Sequence, residues 1–289
     1  MKATEINREL DHARDAGPVK DIVIPPCPQL LVQLQAELNQ PDPDPLAVAA
    51  IAASDVAMTA ALIRLANSPL YARREATTSV AQAVSMLGLK PTATLLTGFL
   101  LRHTIRIDPT LIEHFWESST RRSMAMAHIA RQLYGVDVEI AKTCGLFFHV
   151  GIPVMLQGVR GYSGTLVEAM ARQDRTFIQT ENAAHRTDHA VVGAIVARTW
   201  RLPQVISHAV RLHHDFAVLS DDSVALPVRQ LVAIAAIADH LVAHHEGVRE
   251  QREWLQHGAA CLSFLQIGQD EVDTWVDTLY PAFESVVVA

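Results

Sequence analysis

The segment from Pro25 to Tyr71 reads PPCPQLLVQLQAELNQPDPDPLAVAAIAASDVAMTAALIRLANSPLY, and its spacing of apolar residues indicates the fold class. Large apolar residues recur every three or four positions, which is the period of one face of an α-helix. They are Leu30, Leu31, Leu34 and Leu38, then Ile51, Met58, Leu62 and Leu65. The prolines between positions 41 and 45 interrupt this pattern because proline cannot continue a helix. The segment therefore predicts a succession of short helices.

The rest of the chain shows the same helical spacing and no alternating pattern typical of strands. Polar residues that commonly cap the N-termini of helices precede several apolar runs, at Ser79, Asp188 and Asp270. Glycines that tolerate the left-handed conformation at helix C-termini occur at Gly88, Gly135 and Gly151. We therefore expect an all-α fold, a multi-helix bundle.

Composition excludes several classes of protein. The chain has 289 residues, 49% of them hydrophobic, so it is long enough to bury a substantial core. A net charge of −7 argues against broad attraction to nucleic acid or to an anionic membrane. The apolar stretch from Val224 to His245 is interrupted by Arg229 and Asp239, which a membrane-spanning helix would have to bury. The N-terminus lacks the apolar centre of a secretory signal, and we expect a cytoplasmic protein.

Histidine is abundant, with 14 residues, and several histidines occur in pairs or beside acidic residues. Neutral imidazoles and carboxylates are ligands of transition metals. Each pair taken alone also fits a capping or surface role, and the Asp188 between His185 and His189 fits an N-cap. A metal site and a set of hydrogen-bonded buried imidazoles are therefore both open at this point.

The order of these residues resembles the ligand order of the HD superfamily of metal-dependent phosphohydrolases: His149, His189, His213-His214 and then Asp239 in AIADHL. The segment quoted above, followed by TTSVAQAVSMLGL at 77–89, is similar to the N-terminal block of the HDOD family within that superfamily. TCGLFFHVGIPVML at 143–156 and TDHAVVGAIVARTWRLPQVISHAVRLHHD at 187–215 follow the second half of the family in order.

The resemblance implies a domain organisation. An HDOD domain is expected over 20–245, with a smaller N-terminal helical subdomain at 20–101 and an HD-like subdomain at 112–245. The segment RHTIRIDPTL at 102–111 separates the two. Residues 1–19 are expected to form an N-terminal extension and 246–289 a C-terminal helical extension.

Matched one position at a time, the ligand set of the catalytic superfamily is incomplete. The first histidine falls on Ser118, and the paired His-Asp falls on His149 and Val150, so the carboxylate that would bridge two metals is absent. The remaining vestigial positions are His189, His213, His214 and Asp239. Two adjacent divalent cations need bridging anions, so no catalytic residue, metal or other cofactor is expected. The alternative is one divalent transition metal held by His149, His189, His213 or His214, and Asp239.

The function implied by the resemblance is that of a non-catalytic bacterial signal-transduction module that binds partner proteins. The implied partners are other signalling proteins, including response regulators or proteins of cyclic-dinucleotide pathways, and a homodimer is allowed. Two alternatives stay open: a phosphohydrolase or phosphodiesterase with a reduced one-metal site, and a nucleotide sensor in which Arg73, Arg74 or Arg211 meets an anion.

Overall fold

The structure is a computed structural model, and it describes residues 3–68, 71, 76–105, 114–172, 174–248 and 251–286. Regular structure in these ranges is entirely helical, which confirms the predicted all-α class. The helices are α1 (Ala3–Asp15), α2 (Gln29–Leu38), α3 (Pro45–Ala53), α4 (Val56–Ala66), α5 (Val80–Leu87), α6 (Leu89–Thr104), α7 (Phe115–Gln132), α8 (Val138–Phe147), α9 (Gly151–Gly158), α10 (Tyr162–Ala171), α11 (Phe177–His185), α12 (His189–Thr199), α13 (Gln204–Leu212), α14 (Leu226–His245), α15 (Arg252–Leu265) and α16 (Gln269–Glu284), with a 3-10 turn at Phe216–Ser220.

The chain divides into two compact units. One consists of residues 26–106, and the other combines residues 1–25 with 107–289. We refer to them as the small unit and the large unit. This division does not test the predicted limits of the family domain, its subdomains and its extensions, which remain predictions.

The small unit contains α2 to α6. Asp44 and Asp55 cap α3 and α4, each accepting a hydrogen bond from a backbone N–H of the first turn. The side chain of Asn67, which follows α4, donates to the carbonyl of Thr77 and accepts from its N–H at 2.8 and 2.7 Å. This amide therefore ties the end of α4 to the segment that leads into α5.

The large unit is organised around α14. Most of this helix is buried, including Leu231, Ile234 and Ile237. It packs against α7, α13, α15 and α16, while α12 packs against α9 and α13. Trp200 at the end of α12 is fully buried and donates to the carbonyl of Pro25 at 3.0 Å. Helix α1 packs against α12 and α13, so residues 1–25 belong to this unit.

The predicted helix ends are partly confirmed. Ser79 and Asp188 cap α5 and α12 through their side chains, and Gly88 ends α5 with a positive φ of 84°. Asp270 was wrong as a cap because Gly268 precedes α16 and Asp270 lies in its first turn. Gly151 was wrong as a terminator because it begins α9.

Within the described ranges, two helical segments are long and apolar enough to cross a membrane by length and composition alone, Val138–Gly158 and Leu226–His245. A bent pair, α5 and α6, adds a third if it is counted as one span. In the first two segments 56% and 61% of the apolar window is buried within the protein, so core packing accounts for much of their composition. The expected cytoplasmic location stays a prediction.

Candidate metal centre

Four histidines from three places in the chain meet inside the large unit. His149 lies between α8 and α9, His189 is the first residue of α12, and His213 and His214 follow α13. One nitrogen from each ring lies within 4.8 Å of the other three. We call these four residues the histidine cluster.

His189 lies at the middle of the cluster. Its Nε2 is 3.2 Å from Nδ1 of His149, 3.3 Å from Nε2 of His213 and 3.1 Å from Nε2 of His214. The ring of His189 is 1% exposed, so water contributes little to satisfying these nitrogens. The four inward nitrogens thus form a compact set of possible ligand atoms.

The outward nitrogen of each ring faces a group that accepts hydrogen bonds. Nδ1 of His189 is 2.7 Å from a carboxylate oxygen of Glu181, and Nδ1 of His214 is 2.7 Å from one of Glu253. Nδ1 of His213 is 2.6 Å from the backbone carbonyl of Val210, and Nε2 of His149 is 3.5 Å from Oδ2 of Asp239.

These acceptors favour particular positions of the ring protons. A neutral imidazole carries one N–H and one lone pair. Because ionised carboxylates and carbonyls only accept, the close contacts of His189, His213 and His214 favour an outward N–H and an inward lone pair, and the longer approach of Asp239 favours the same arrangement in His149. An acceptor behind each ring is also the usual arrangement around metal-binding histidines. The donor set of the cluster therefore fits a transition-metal ion.

Burial and neighbouring charges act differently on the four rings. Burial, aided by the positive charge of Arg122, lowers the pKa of His149 to about 3. Burial and the neighbouring histidines, His214 foremost, place the pKa of His213 well below its ordinary value. Burial acts in the same direction on His214, but the carboxylate of Glu253 outweighs it with help from Asp239 and Glu181, and the pKa of His214 is raised.

Glu181 is a fully buried carboxylate whose donors come from three groups. It accepts from the hydroxyl of Tyr162, from Nδ1 of His189 and from the backbone N–H of His189 at 3.3 Å. A buried charge requires such partners. These contacts orient His189 from the side opposite the cluster.

Asp239 is held by Arg122 through a close ion pair. Burial acts to raise the pKa of Asp239, but Arg122 and His149 together lower it. Its nearest contact with the cluster is to the outward nitrogen of His149. The structure therefore places Asp239 behind His149, whereas the sequence suggests it as a ligand in the one-metal alternative. That alternative needs only one of His213 and His214, but both belong to the histidine cluster.

The other sequence-predicted positions lie outside the cluster. Ser118 donates from α7 to the carboxylate of Glu246 at 2.5 Å. Val150 is fully buried next to Gly193 of α12. Arg211, suggested for an anion, forms an ion pair with Glu9 at 2.5 Å. Arg73 and Arg74 lie outside the described residues.

Close packing of α9 on α12 sets the position of His189. A Cβ atom at Gly151 would lie 2.0 Å from the backbone carbonyl oxygen of His189. Only a residue without a side chain allows this approach. Gly151 therefore helps to bring His149 and His189 together.

Sequence reasoning missed the residues behind the histidines, namely Arg122, Glu181 and Glu253. Glu181 precedes His189 by eight positions, so an acidic residue this close in sequence to a predicted ligand was a usable signal. Glu253 is 39 positions from His214 and lies in the C-terminal helices, where no local pattern connects it to the cluster.

Comparison with known proteins agrees with this architecture. The family described as HDOD domain matches residues 24–216. An uncharacterized protein of Treponema pallidum (strain Nichols) is 23% identical over 265 residues, which cover 91% of this chain and 50% of that protein. The chain thus spans about half the length of this curated relative.

Solved structures show the same fold at low sequence identity. An HDOD domain protein of unknown function from Geobacter sulfurreducens has a TM-score of 0.71 at 21% identity, over 98% of this chain and 100% of that one. A candidate signal transduction protein from Marinobacter aquaeolei VT8 has a TM-score of 0.73 at 17% identity, over 99% and 67%. A candidate phosphohydrolase from Shewanella amazonensis SB2B has 0.72 at 19% identity, over 96% and 95%. At these identities the likeness shows the fold alone.

Proposed function

Because the chain belongs to the HDOD domain family, we propose that it is a signal-transduction module whose histidine cluster holds one divalent transition metal and does not hydrolyse phosphodiesters. The sequence alone favoured a site without metal. The convergence of four imidazole nitrogens, with an acceptor behind each ring, favours binding of one metal instead.

One observation carries this proposal: four imidazole nitrogens converge, and the outward nitrogen of each ring faces an acceptor, which favours lone pairs on the inward side. Without a cation, lone pairs face one another at 3.1 to 3.3 Å around His189. An ion bound to four imidazoles at about 2.0–2.1 Å places neighbouring nitrogens about 3.3–3.4 Å apart if the geometry is tetrahedral. The three distances from Nε2 of His189 are close to that value, and the other nitrogens lie within 4.8 Å of one another.

A proton is the competing cation. His214 is the ring whose pKa is raised, and if protonated it donates from Nε2 to Nε2 of His189. That hydrogen bond uses the single lone pair of His189. The inward nitrogens of His149 and His213 then still face an acceptor with no hydrogen between them. A metal ion satisfies all four nitrogens at once, which is why we prefer it.

The same geometry argues against catalysis. A zinc-like ion with four protein ligands has no open coordination position, and catalytic centres keep one. A second metal would need an anionic bridge, but position 150 is valine. The carboxylate of Asp239 is already neutralised by Arg122. The metal would therefore supply structural cross-linking of α12 to the ends of α8 and α13.

The signalling role rests on the family and on the scaffold. We propose that the protein binds other signalling proteins, such as response regulators or components of cyclic-dinucleotide pathways, and a homodimer is compatible with this role. A solved relative of the same fold is named as a candidate signal transduction protein. The phosphohydrolase alternative derives from the superfamily and from the name of another relative.

Elemental analysis of the purified protein tests the metal centre. We expect about one transition-metal ion per chain, and we expect His189→Ala to lose it because this ring touches the other three. His12→Ala is the matched control, since His12 is an exposed histidine of the same unit. Wild-type protein without metal after exposure to zinc, or a His189→Ala variant that keeps its metal, contradicts the metal centre.

Hydrolysis assays test the absence of catalysis separately. With manganese, iron or zinc, we expect no turnover of a generic phosphodiester or of cyclic dinucleotides above the background. If turnover occurs and His149→Ala abolishes it, the chain is a one-metal phosphohydrolase and the non-catalytic proposal is wrong.

A further inference from the structure

Helix α15 contacts the histidine cluster from outside the segment that matches the family. The match ends at residue 216, and α15 spans Arg252–Leu265. Glu253, in the first turn of this helix, supplies the carboxylate behind His214. One of the four acceptors that set the proton positions therefore comes from the C-terminal helices.

Neighbouring residues hold this first turn in place. Gln251 donates from Nε2 to the backbone carbonyl of Asp239 at 3.2 Å. The indole of Trp254 stacks on His240 of α14, with ring centroids 4.2 Å apart and planes within 8°. Arg252 donates to the carbonyl of Arg175 at 2.8 Å. Hydrogen bonds and stacking thus dock the turn against α14 and against the segment before α11.

A small cavity of about 20 Å³ lies between this turn and the cluster. His213 and Asp239 line it from the cluster side, and Gln251, Glu253 and Trp254 line it from the side of α15. Its volume is that of roughly one water molecule. The first turn of α15 therefore covers the cluster at close range.

Glu253 also decides whether His214 is a ligand. With an acceptor at Nδ1, the ring keeps its proton there and directs the lone pair of Nε2 inward. Without that acceptor, the proton is free to occupy Nε2, which removes a ligand atom from the set. Removing a hydrogen-bond acceptor behind a metal-binding histidine typically changes metal affinity by about 10- to 100-fold.

We propose that the turn Gln251–Trp254 closes the metal centre and that Glu253 is the positioning residue that holds His214 in its metal-binding tautomer. This inference rests on the proposed function. By linkage, an ion that is bound more tightly when α15 is docked also stabilises the docked helix. Metal binding and docking of the C-terminal helices are therefore coupled.

Zinc competition between the protein and a chromophoric chelator measures how much Glu253 contributes to zinc affinity. We expect Glu253→Ala to weaken zinc binding about 10- to 100-fold. Glu253→Gln should lose less, because its amide oxygen still accepts from Nδ1. The matched control is Glu271→Ala, which removes a carboxylate from the first turn of α16.

Hydrogen exchange of the amides in 252–265 measures the coupling. Zinc should slow exchange there in the wild type, and this protection should be lost in Glu253→Ala but kept in Glu271→Ala. If Glu253→Ala only lowers the melting temperature while zinc affinity and protection are unchanged, the positioning role is wrong although the metal centre stands. If the wild type binds no zinc, the metal centre and this inference both fail.

Discussion

Gly151→Ala is a stringent test of how the cluster is assembled. The added methyl group would lie 2.0 Å from the carbonyl oxygen and 2.7 Å from the carbonyl carbon of His189. These are backbone atoms, so no side-chain rotation relieves the overlap. Because Cβ contacts below 3.0 Å essentially do not occur, α9 and α12 must separate by about 1 Å at this point.

The Gly151→Ala substitution is expected to lower both the stability of the large unit and its affinity for zinc. Overpacking in a dense core costs typically about 1–3 kcal/mol, and a rigid backbone partner places this site at or above the upper end. For a unit of this size, about 3 kcal/mol corresponds to a fall in melting temperature of roughly 6–12 °C. A displacement of about 1 Å also exceeds the few tenths of an ångström that metal bonds tolerate, so zinc affinity should fall as well.

Tryptophan fluorescence during thermal unfolding is a suitable assay, because all four tryptophans belong to the large unit. Gly164→Ala is the control. Gly164 lies in α10, and apart from its own helical backbone no heavy atom of the described residues lies within 4 Å of the position that an added Cβ would occupy. Alanine there should therefore stabilise the helix by about 0.5–1 kcal/mol. A Gly151→Ala variant that melts like the wild type and binds zinc equally well would refute the packing argument.

Two further predictions concern other parts of the chain. Asn67→Leu should destabilise the small unit by about 2–4 kcal/mol, because it leaves the backbone N–H and carbonyl of the largely buried Thr77 without their partners. Thermal unfolding followed by circular dichroism measures this loss. Asn67→Asp retains the acceptor and should therefore lose less stability. Burial, with a contribution from Arg131, lowers the pKa of His128, whose Nε2 is buried without a hydrogen-bond partner among the described residues. The unfolded chain then binds the proton more readily, so stability is full above about pH 6.5 and declines as the pH falls toward the folded pKa. Urea unfolding at pH 8 and pH 5 should show a smaller loss for His128→Phe than for the wild type, and equal losses would contradict this origin of the pH dependence.

The fold was accessible from the sequence because helical periodicity and capping residues are local signals. Ser79 and Asp188 stand directly before the apolar runs that they cap, and the structure begins α5 and α12 there. Asp270 failed as a cap because the carboxylate of Glu271 bonds back to the N–H of Gly268, which moves the start of α16 toward the N-terminus.

The site was accessible only in part. The order of His149, His189, His213 and His214 pointed to one cluster, and the structure brings the four rings together. The sequence did not indicate that every ring has an acceptor behind it, because these acceptors come from α11, α13, α14 and α15. Proton positions depend on such long-range contacts, and the proposal of one bound ion rests on them.

The pairing of Arg122 with Asp239 has a consequence for how the protein responds to metal supply. A guanidinium is attached to the chain and cannot dissociate or be removed by a chelator. The charge of Asp239 therefore stays balanced whatever the metal supply, and under the proposed function only the four imidazoles would exchange an ion with the solution. If the proposed function is right, each chain should fill a single independent site as free metal rises, which gives a gradual hyperbolic titration without coupled steps.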